Sequence, residues 1–598
     1  MYKPASFLRI LLPFLPAIAI AYFIFKYGVN IPFWDQWGIT PNLLIEDSKG
    51  QLTFQTLFAQ ANESRLFFPK LVFLELAKLT QWNTRAEMAI TWLLALLVFA
   101  NLYFLVCRTL KQLPAWGKTT VLLLMGLVVF SPMQFENWLW GIQMIVFVPI
   151  LCISTCITLC YLGLRPWQKF LLCGLLCTIS TFSYANGMVA WVVVYPIMVI
   201  STTWTLRSLF KPRWLLPGWL FLMAANLSLY FHNYQKPSYH PSFSYALTHP
   251  LEAIRYFLVF MGIPLGLLSS INFSLLMGLL LISLFAYCNW RIFRLIACRQ
   301  NDLSFSLGWQ VLGTYSLLSG LITASGRVGF GVSQAMSSRY TTFSIYLIVS
   351  LIGLVSILLT SQPLLIKSGH SSKPPPLKAK EYERFLILGG VILFLVVYGY
   401  TYRHSLNMIY SWGHLDRLNG KSCLLLINQV LDENCIATRS FPFPPNAVKP
   451  SIETIDQLGY VSPGLITTNV MEAVNGGAVT SLAPNNYGHF DTLERQGDSY
   501  IARGWAILPA RPAPADAVVL AYKDPSTGQS VGFAITEQRI GRTDVAKELQ
   551  TRQFHLSGWE ETLDQTVLPE SACDITAWAM DANQGEVFQI AGSHNICD

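Results

Sequence analysis

The sequence predicts an α-helical polytopic membrane protein of about eleven transmembrane helices, followed by an extracytoplasmic all-β sandwich domain. Three observations carry that expectation. Of 598 residues, 53% are hydrophobic and only 12% charged, about half the charged share of a soluble globular chain. Apolar segments of membrane length recur over the first 402 residues, with basic clusters on alternate links. From residue 403 onward the pattern changes to short alternating runs punctuated by turn residues. The formal net charge of +8 comes from clusters that orient membrane helices. It implies a lipid bilayer as partner and no nucleic acid.

Residues 6–26 are long enough to cross a bilayer and lack a small-residue cleavage site, so they read as a signal anchor with Lys3 and Arg9 inside. Further spans are expected near 88–107, 119–133, 143–163, 169–183, 188–204, 214–231, 271–290, 308–324, 340–360 and 384–402. Arg108, Lys111, Lys118, Arg165, Lys169, Arg207, Lys211, Arg213, Arg291, Arg294 and Arg299 fall on one side of that arrangement. Residues 251–268 are apolar, but counting them as a crossing would reverse the last of these clusters. They are expected to be re-entrant or interfacial, broken by Gly262, Pro264 and Gly266. A first external loop is expected over 27–87 and a flexible cytoplasmic linker over 361–383, centred on SGHSSKPPPLKAK. The domains are then 1–402 in the membrane and 403–598 outside it, with the sandwich mainly at 485–598.

Cysteine use agrees with that division. Cys152, Cys156 and Cys160 share one helix face without acid or histidine partners, and read as small hydrophobes. Cys423, Cys435, Cys573 and Cys597 lie in the outer domain, where an even number implies disulfides with three connectivities. Nearness in sequence favours Cys423–Cys435 and Cys573–Cys597.

Four external stretches carry residue types that do chemistry. FWDQW places Asp35 between Trp34 and Trp37, and NESRLFFPK adds Glu63 and Arg65. Two carboxylates in one loop can divide base and orienting roles. SPMQFENWLWGIQ offers Glu136, Asn137 and Gln143 beside Trp138 and Trp140, a combination suited to sugar rings and hydroxyls. SYANGM carries Asn186 in a turn between two short apolar spans. SGRVGFGVSQAMSSRYTTFS holds Arg327, Arg339 and Tyr340, and an arginine fork matches a phosphate.

This set of motifs resembles the GT-C superfamily of integral membrane glycosyltransferases over roughly residues 1–402. The resemblance implies transfer of a sugar from a polyprenyl-phosphate donor to an envelope glycan, lipid or protein on the outer face of a bacterial inner membrane. It implies Asp35 as base, Glu63 or Glu136 as a second acid, and Arg327 or Arg339 as the phosphate anchor. Arg65 and Tyr340 would join the donor site. Trp34, Trp37, Asn137, Trp138, Trp140, Gln143 and Asn186 would line the sugar and acceptor site. No DxD pair is present, which leaves the metal unknown; a divalent cation, Mg2+ or Mn2+, is the cofactor to consider. A transporter or flippase for a lipid-linked saccharide, or a non-catalytic glycan-binding scaffold, is the alternative. A transporter places its polar groups near the midplane, often with repeat symmetry, whereas here they gather at helix ends.

Overall fold

The computed structural model describes residues 4–200, 212–266, 269–299, 304–367, 377–430, 432–441, 445–466, 470–475, 487–536, 538–565, 568 and 573–597. The Arg207 and Lys211 cluster lies outside them. Contacts divide the chain into two compact units. The first comprises Met1–Gly28, Thr53–Phe73 and Arg85–Ile409; the second comprises Val29–Leu52, Leu74–Thr84 and Tyr410–Asp598.

The first unit is helical. Among the described residues six helical stretches are long and apolar enough to cross a membrane: Leu8–Tyr27, Thr84–Thr109, Ala115–Leu139, Gly141–Tyr161, Ile271–Leu295 and Ser338–Thr360. Ala185–Val199 and Leu215–Phe231 are apolar but shorter. In Thr84–Thr109, 26 residues rise about 39 Å, enough for a hydrocarbon core of about 30 Å. Apolar helices of this kind cannot be dissolved by water on their outer faces, and they make this a multi-pass membrane protein.

One expectation for this unit is corrected. Residues 251–268 are not broken at their glycines, because the helix Pro250–Gly266 runs through Gly262 and Pro264. Gly262 and Gly266 instead allow close approach to the helix Ile271–Arg299. A Cβ on Gly262 would lie 1.8 Å from the Ser274 carbonyl oxygen, and one on Gly278 would lie 1.9 Å from that of Leu258. Small residues on both helices let the backbones meet, as in membrane helix pairs of the GxxxG type. The expected linker is helical at both ends, within Thr341–Lys367 and Leu377–Tyr410, and only 368–376 lies outside the described residues. The region 27–87 contains regular elements, and its residues 29–52 and 74–84 belong to the second unit. It holds the helices Asp35–Ser48, Phe54–Phe58 and Phe67–Thr80, and a short hairpin of β1 (Gln60–Ala61) and β2 (Ser64–Arg65).

The second unit is built on an eight-stranded sheet. Its strands are β3 (Gly488–Gln496), β4 (Ser499–Ala506), β5 (Ala517–Lys523), β6 (Ser530–Ile535), β7 (Gln538–Ile540), β8 (Gly558–Asp564), β9 (Asp574–Asp581) and β10 (Glu586–Asn595). The order is β6-β5-β9-β10-β3-β4-β8-β7. Instead of two separate sheets there is one, joined at its middle by a parallel pairing of β10 with β3, Ala591 to His489. The register of β10 shifts between Gln589 and Ser593, where Gly592 takes φ 89° against the Phe490 carbonyl. A bulge of this kind bends a strand, and both halves of the sheet supply one core. Phe490, Trp559 and Leu563 come from one half; Leu520, Ile575 and Ala577 come from the other. Cys423 pairs with Cys435 and Cys573 with Cys597, the connectivity that nearness in sequence favours.

Candidate functional site

The first unit gathers most of the expected polar residues at the ends of its helices. The β1–β2 turn presents Glu63, and the helix Leu307–Arg327 ends on Arg327. The two form an ion pair through Glu63 Oε1 and Arg327 Nη2. His240 Nδ1 lies 3.8 Å from the other oxygen, Oε2, which is buried and accepts no hydrogen bond. The segment carrying His240 is tied to the same hairpin at three places. Tyr230 Oη donates to the Glu63 carbonyl at 2.7 Å, the Gln235 amide donates to Gln60 Oε1 at 3.1 Å, and Tyr239 Oη donates to Asn62 Oδ1.

A second pair lies on neighbouring elements of the same unit. Glu136 Oε2 accepts from Ser338 Oγ at 2.8 Å and from the Arg339 amide at 2.9 Å, while Oε1 faces Arg339 Nη1 at 3.6 Å. Asn137 Nδ2 donates to the Arg339 carbonyl at 3.0 Å and to Thr342 Oγ1 at 2.6 Å. Glu136 and Asn137 thus hold the turn Ser338–Tyr340 from which the helix Thr341–Lys367 starts. A carboxylate at a helix start satisfies unpaired amides and opposes the helix dipole.

Tyrosines join the two pairs. The Tyr184 phenol lies within the electrostatic reach of Glu63, Tyr340, Arg327 and Arg339, and its ring stacks on Phe343 at 5.6 Å. Tyr256 feels Tyr340 and both arginines and donates to Gln334 Oε1 at 2.7 Å. The turn bearing Tyr184 is very tight. A Cβ on Gly187 would lie 1.8 Å from the Ser180 carbonyl oxygen, and Ser180 Oγ donates to the Gly187 carbonyl at 2.9 Å. Asn186, buried next to that glycine, donates to Thr323 Oγ1 at 3.3 Å. The His240 imidazole is held below its ordinary value of 6.5, first by burial and then by the Arg327 charge, with Glu63 pulling the other way.

Other expected residues are placed differently. Arg65 spends its guanidinium on main-chain carbonyls of Tyr230, Phe58 and His232, and lies over the Phe58 ring at 4.7 Å. It fastens the hairpin to the end of the helix Leu215–Phe231. Trp138 is buried between Phe130 and Phe147, with Nε1 donating to the Ser131 carbonyl at 2.8 Å. Trp140 and Gln143 are buried too. These tryptophans are buried within the unit; the apolar bulk that suits a sugar ring suits a helix interface equally.

Asp35, Trp34 and Trp37 belong to the second unit. Asp35 is exposed in the first turn of the helix Asp35–Ser48, a favourable end for an acid. Trp34 precedes it at φ 45°, with its amide donating to the Ser440 carbonyl at 2.8 Å. Trp37 is buried edge-on against Trp82 at 5.7 Å. In the same unit Trp559 and Trp578 are buried, and Trp505 packs against Ile507, Val545 and Phe554.

The sequence motifs do not single out Tyr184, Tyr256, Gln334 or His240 as site residues. Tyr184 and Gln334 stand inside motifs quoted above. His240 lies between prolines in KPSYHPS, and a titratable residue in a rigid loop is the signal that could have found it.

Among the described residues no group of three or more His, Cys, Asp or Glu side chains is placed to hold a metal ion. No protein-family model matches the chain, and neither does any curated protein or solved structure.

Proposed function

We propose that the protein is a membrane glycosyltransferase of GT-C type that moves a sugar from a polyprenyl-phosphate donor to an envelope glycan, lipid or protein. The observation that carries the reading is the meeting of Arg327, Arg339, Glu63, Glu136 and Tyr184 in one polar cluster at helix ends of an otherwise apolar unit. Ionisable groups among membrane helices are costly and are retained for function. The arginines would hold the donor phosphate, which gains charge as it leaves. A carboxylate would take the proton of the acceptor hydroxyl as its oxygen bonds to the sugar C1 and the bond from C1 to the phosphate oxygen breaks. Glu63 suits that task better than Glu136. Its Oε2 accepts no hydrogen bond, whereas Glu136 is occupied by Ser338 and the Arg339 amide.

In this reading Pro166–Thr181, Ala190–Ile200, Leu215–Phe231, Leu307–Arg327 and the apolar part of Leu377–Tyr410 complete eleven crossings. The amino terminus is cytoplasmic and the sheet domain extracytoplasmic. The two disulfides support that side for the sheet, because such bonds persist in oxidising compartments.

The test is envelope glycan mass spectrometry on a deletion strain complemented with Glu63→Gln, Asp35→Asn or Glu136→Gln. The reading predicts loss of one glycan modification with Glu63→Gln at unchanged protein level. Loss with Asp35→Asn alone would move the base to the second unit. Full glycan in the deletion strain itself would remove the enzyme reading and favour a scaffold.

A further inference from the structure

Glu63 stands between one permanent cation and one titratable group. On one side Arg327, permanently charged, holds Oε1. On the other, His240 faces Oε2 at 3.8 Å with its side chain only 7% exposed. That oxygen is buried and accepts no hydrogen bond, which is a costly state for a carboxylate. The geometry is held from several directions. The Tyr239 and Gln235 hydrogen bonds fix the loop to the hairpin. The His240 ring stands edge-on to Tyr239 at 4.7 Å and to Phe330 at 5.8 Å. Pro241 packs so closely on Gly329 that a Cβ there would lie 2.5 Å away. The charged groups acting on His240 are Glu63 from the hairpin, Arg327 from the helix end and Lys236 from its own loop. Tyr234 lies in the field of the same Glu63 and Arg327.

We propose that Glu63, His240 and Arg327 form a proton-coupled oxyanion site, in which protonated His240 takes over the Glu63 carboxylate and frees the Arg327 fork for a phosphate ester. With His240 neutral, the cluster of Arg327, Arg339, Glu63 and Glu136 carries no net charge, and Arg327 is satisfied by Glu63. Protonation adds a unit positive charge beside Glu63 and gives Oε2 the donor it lacks. Arg327 then has N–H groups to offer to a tetrahedral anion, which it can bind in bidentate fashion. The site's anion affinity therefore rises as the pH falls through the His240 titration. This rests on the donor-site reading above but does not need Glu63 to act as a base.

The experiment uses the full chain in phosphatidylcholine nanodiscs and sulfate as probe, because sulfate keeps its charge between pH 5 and pH 8. Calorimetric titration at both ends of that range, with chloride matched for ionic strength, gives the affinities. A unit charge added within about 6 Å at an effective dielectric near 20 changes affinity by roughly tenfold or more. Wild type should gain that factor at the acid end. His240→Gln should show weak, pH-independent binding. Glu63→Gln should bind sulfate tightly at both pH values, even if glycan transfer is lost, so the two readings fail separately. Arg327→Lys, which keeps the charge and removes the fork, should bind weakly throughout. Displacement of sulfate by polyprenyl phosphate added to the discs identifies the lipid-borne ester as the ligand; failure to displace it identifies a free anion. A flat wild-type profile, a wild-type slope in His240→Gln, or weakened binding in Glu63→Gln would each overturn the proposal.

Discussion

Substituting Glu136 separates holding from chemistry. Its Oε2 accepts two hydrogen bonds, from Ser338 Oγ at 2.8 Å and the Arg339 amide at 2.9 Å, and its side chain is 14% exposed. Hydrogen bonds to a charged group contribute about 1.5–3 kcal/mol each. Truncation also leaves the Ser338 hydroxyl and the Arg339 amide without their acceptor, while relieving the desolvation of a carboxylate. Glu136→Ala is therefore expected to cost about 2–4 kcal/mol of stability. Glu136→Gln keeps one acceptor oxygen and loses the 3.6 Å ion pair, so about 1 kcal/mol is expected for it. Denaturant unfolding of the purified protein in micelles, followed by near-ultraviolet circular dichroism of its buried aromatic side chains, gives the two values. The ratio matters more than either number. If Glu136→Gln unfolded like wild type yet abolished glycan transfer, Glu136 would be the reacting carboxylate and the anchoring account would be wrong.

Three further outcomes follow from the geometry. Gly262→Leu should prevent the Pro250–Gly266 helix from seating on Ser274, where even a Cβ would come within 1.8 Å of a carbonyl, and limited proteolysis should cut the first unit readily; Gly262→Ala should show a smaller effect of the same sign. Non-reducing peptide mapping should find Cys423 joined to Cys435 and Cys573 to Cys597, and reduction should destabilise the second unit by roughly 3 kcal/mol per closed loop, seen as an earlier unfolding transition of that unit. His240 has a folded value below its ordinary 6.5, so its contribution is present above about pH 6.5 and is lost as pH falls through the lower folded value; the acid side of the stability profile should be shallower in His240→Gln.

What was legible in the sequence was whatever depended on solvent. Segments too apolar for water read as membrane helices, and the alternating runs after residue 488 are strands, whereas the described residues between 403 and 475 are largely helical. Cysteine spacing already favoured the two pairs. Less legible was whatever depended on which face of an element meets which neighbour. Trp138 and Trp140 have the composition of a sugar-binding wall, but both are buried, Trp138 between Phe130 and Phe147. Gly262, Pro264 and Gly266 look like helix breakers in one dimension, and become contact points only when Ser274 and Gly278 approach. Arg65 and Arg327 are alike as letters, yet one clamps main-chain carbonyls and the other meets Glu63. The pairing of Glu136 with Arg339 spans 203 positions, and no local pattern announces it. His240 was passed over for the same reason, since its partner Glu63 lies far away in the chain.

Native mass spectrometry of the purified chain with polyprenyl phosphate tests the central claim, that the arginine cluster grips a lipid-borne phosphate. Wild type should retain the lipid through desolvation, and Arg327→Gln combined with Arg339→Gln should release it while remaining folded by circular dichroism. Equal retention by the folded double variant would contradict the account.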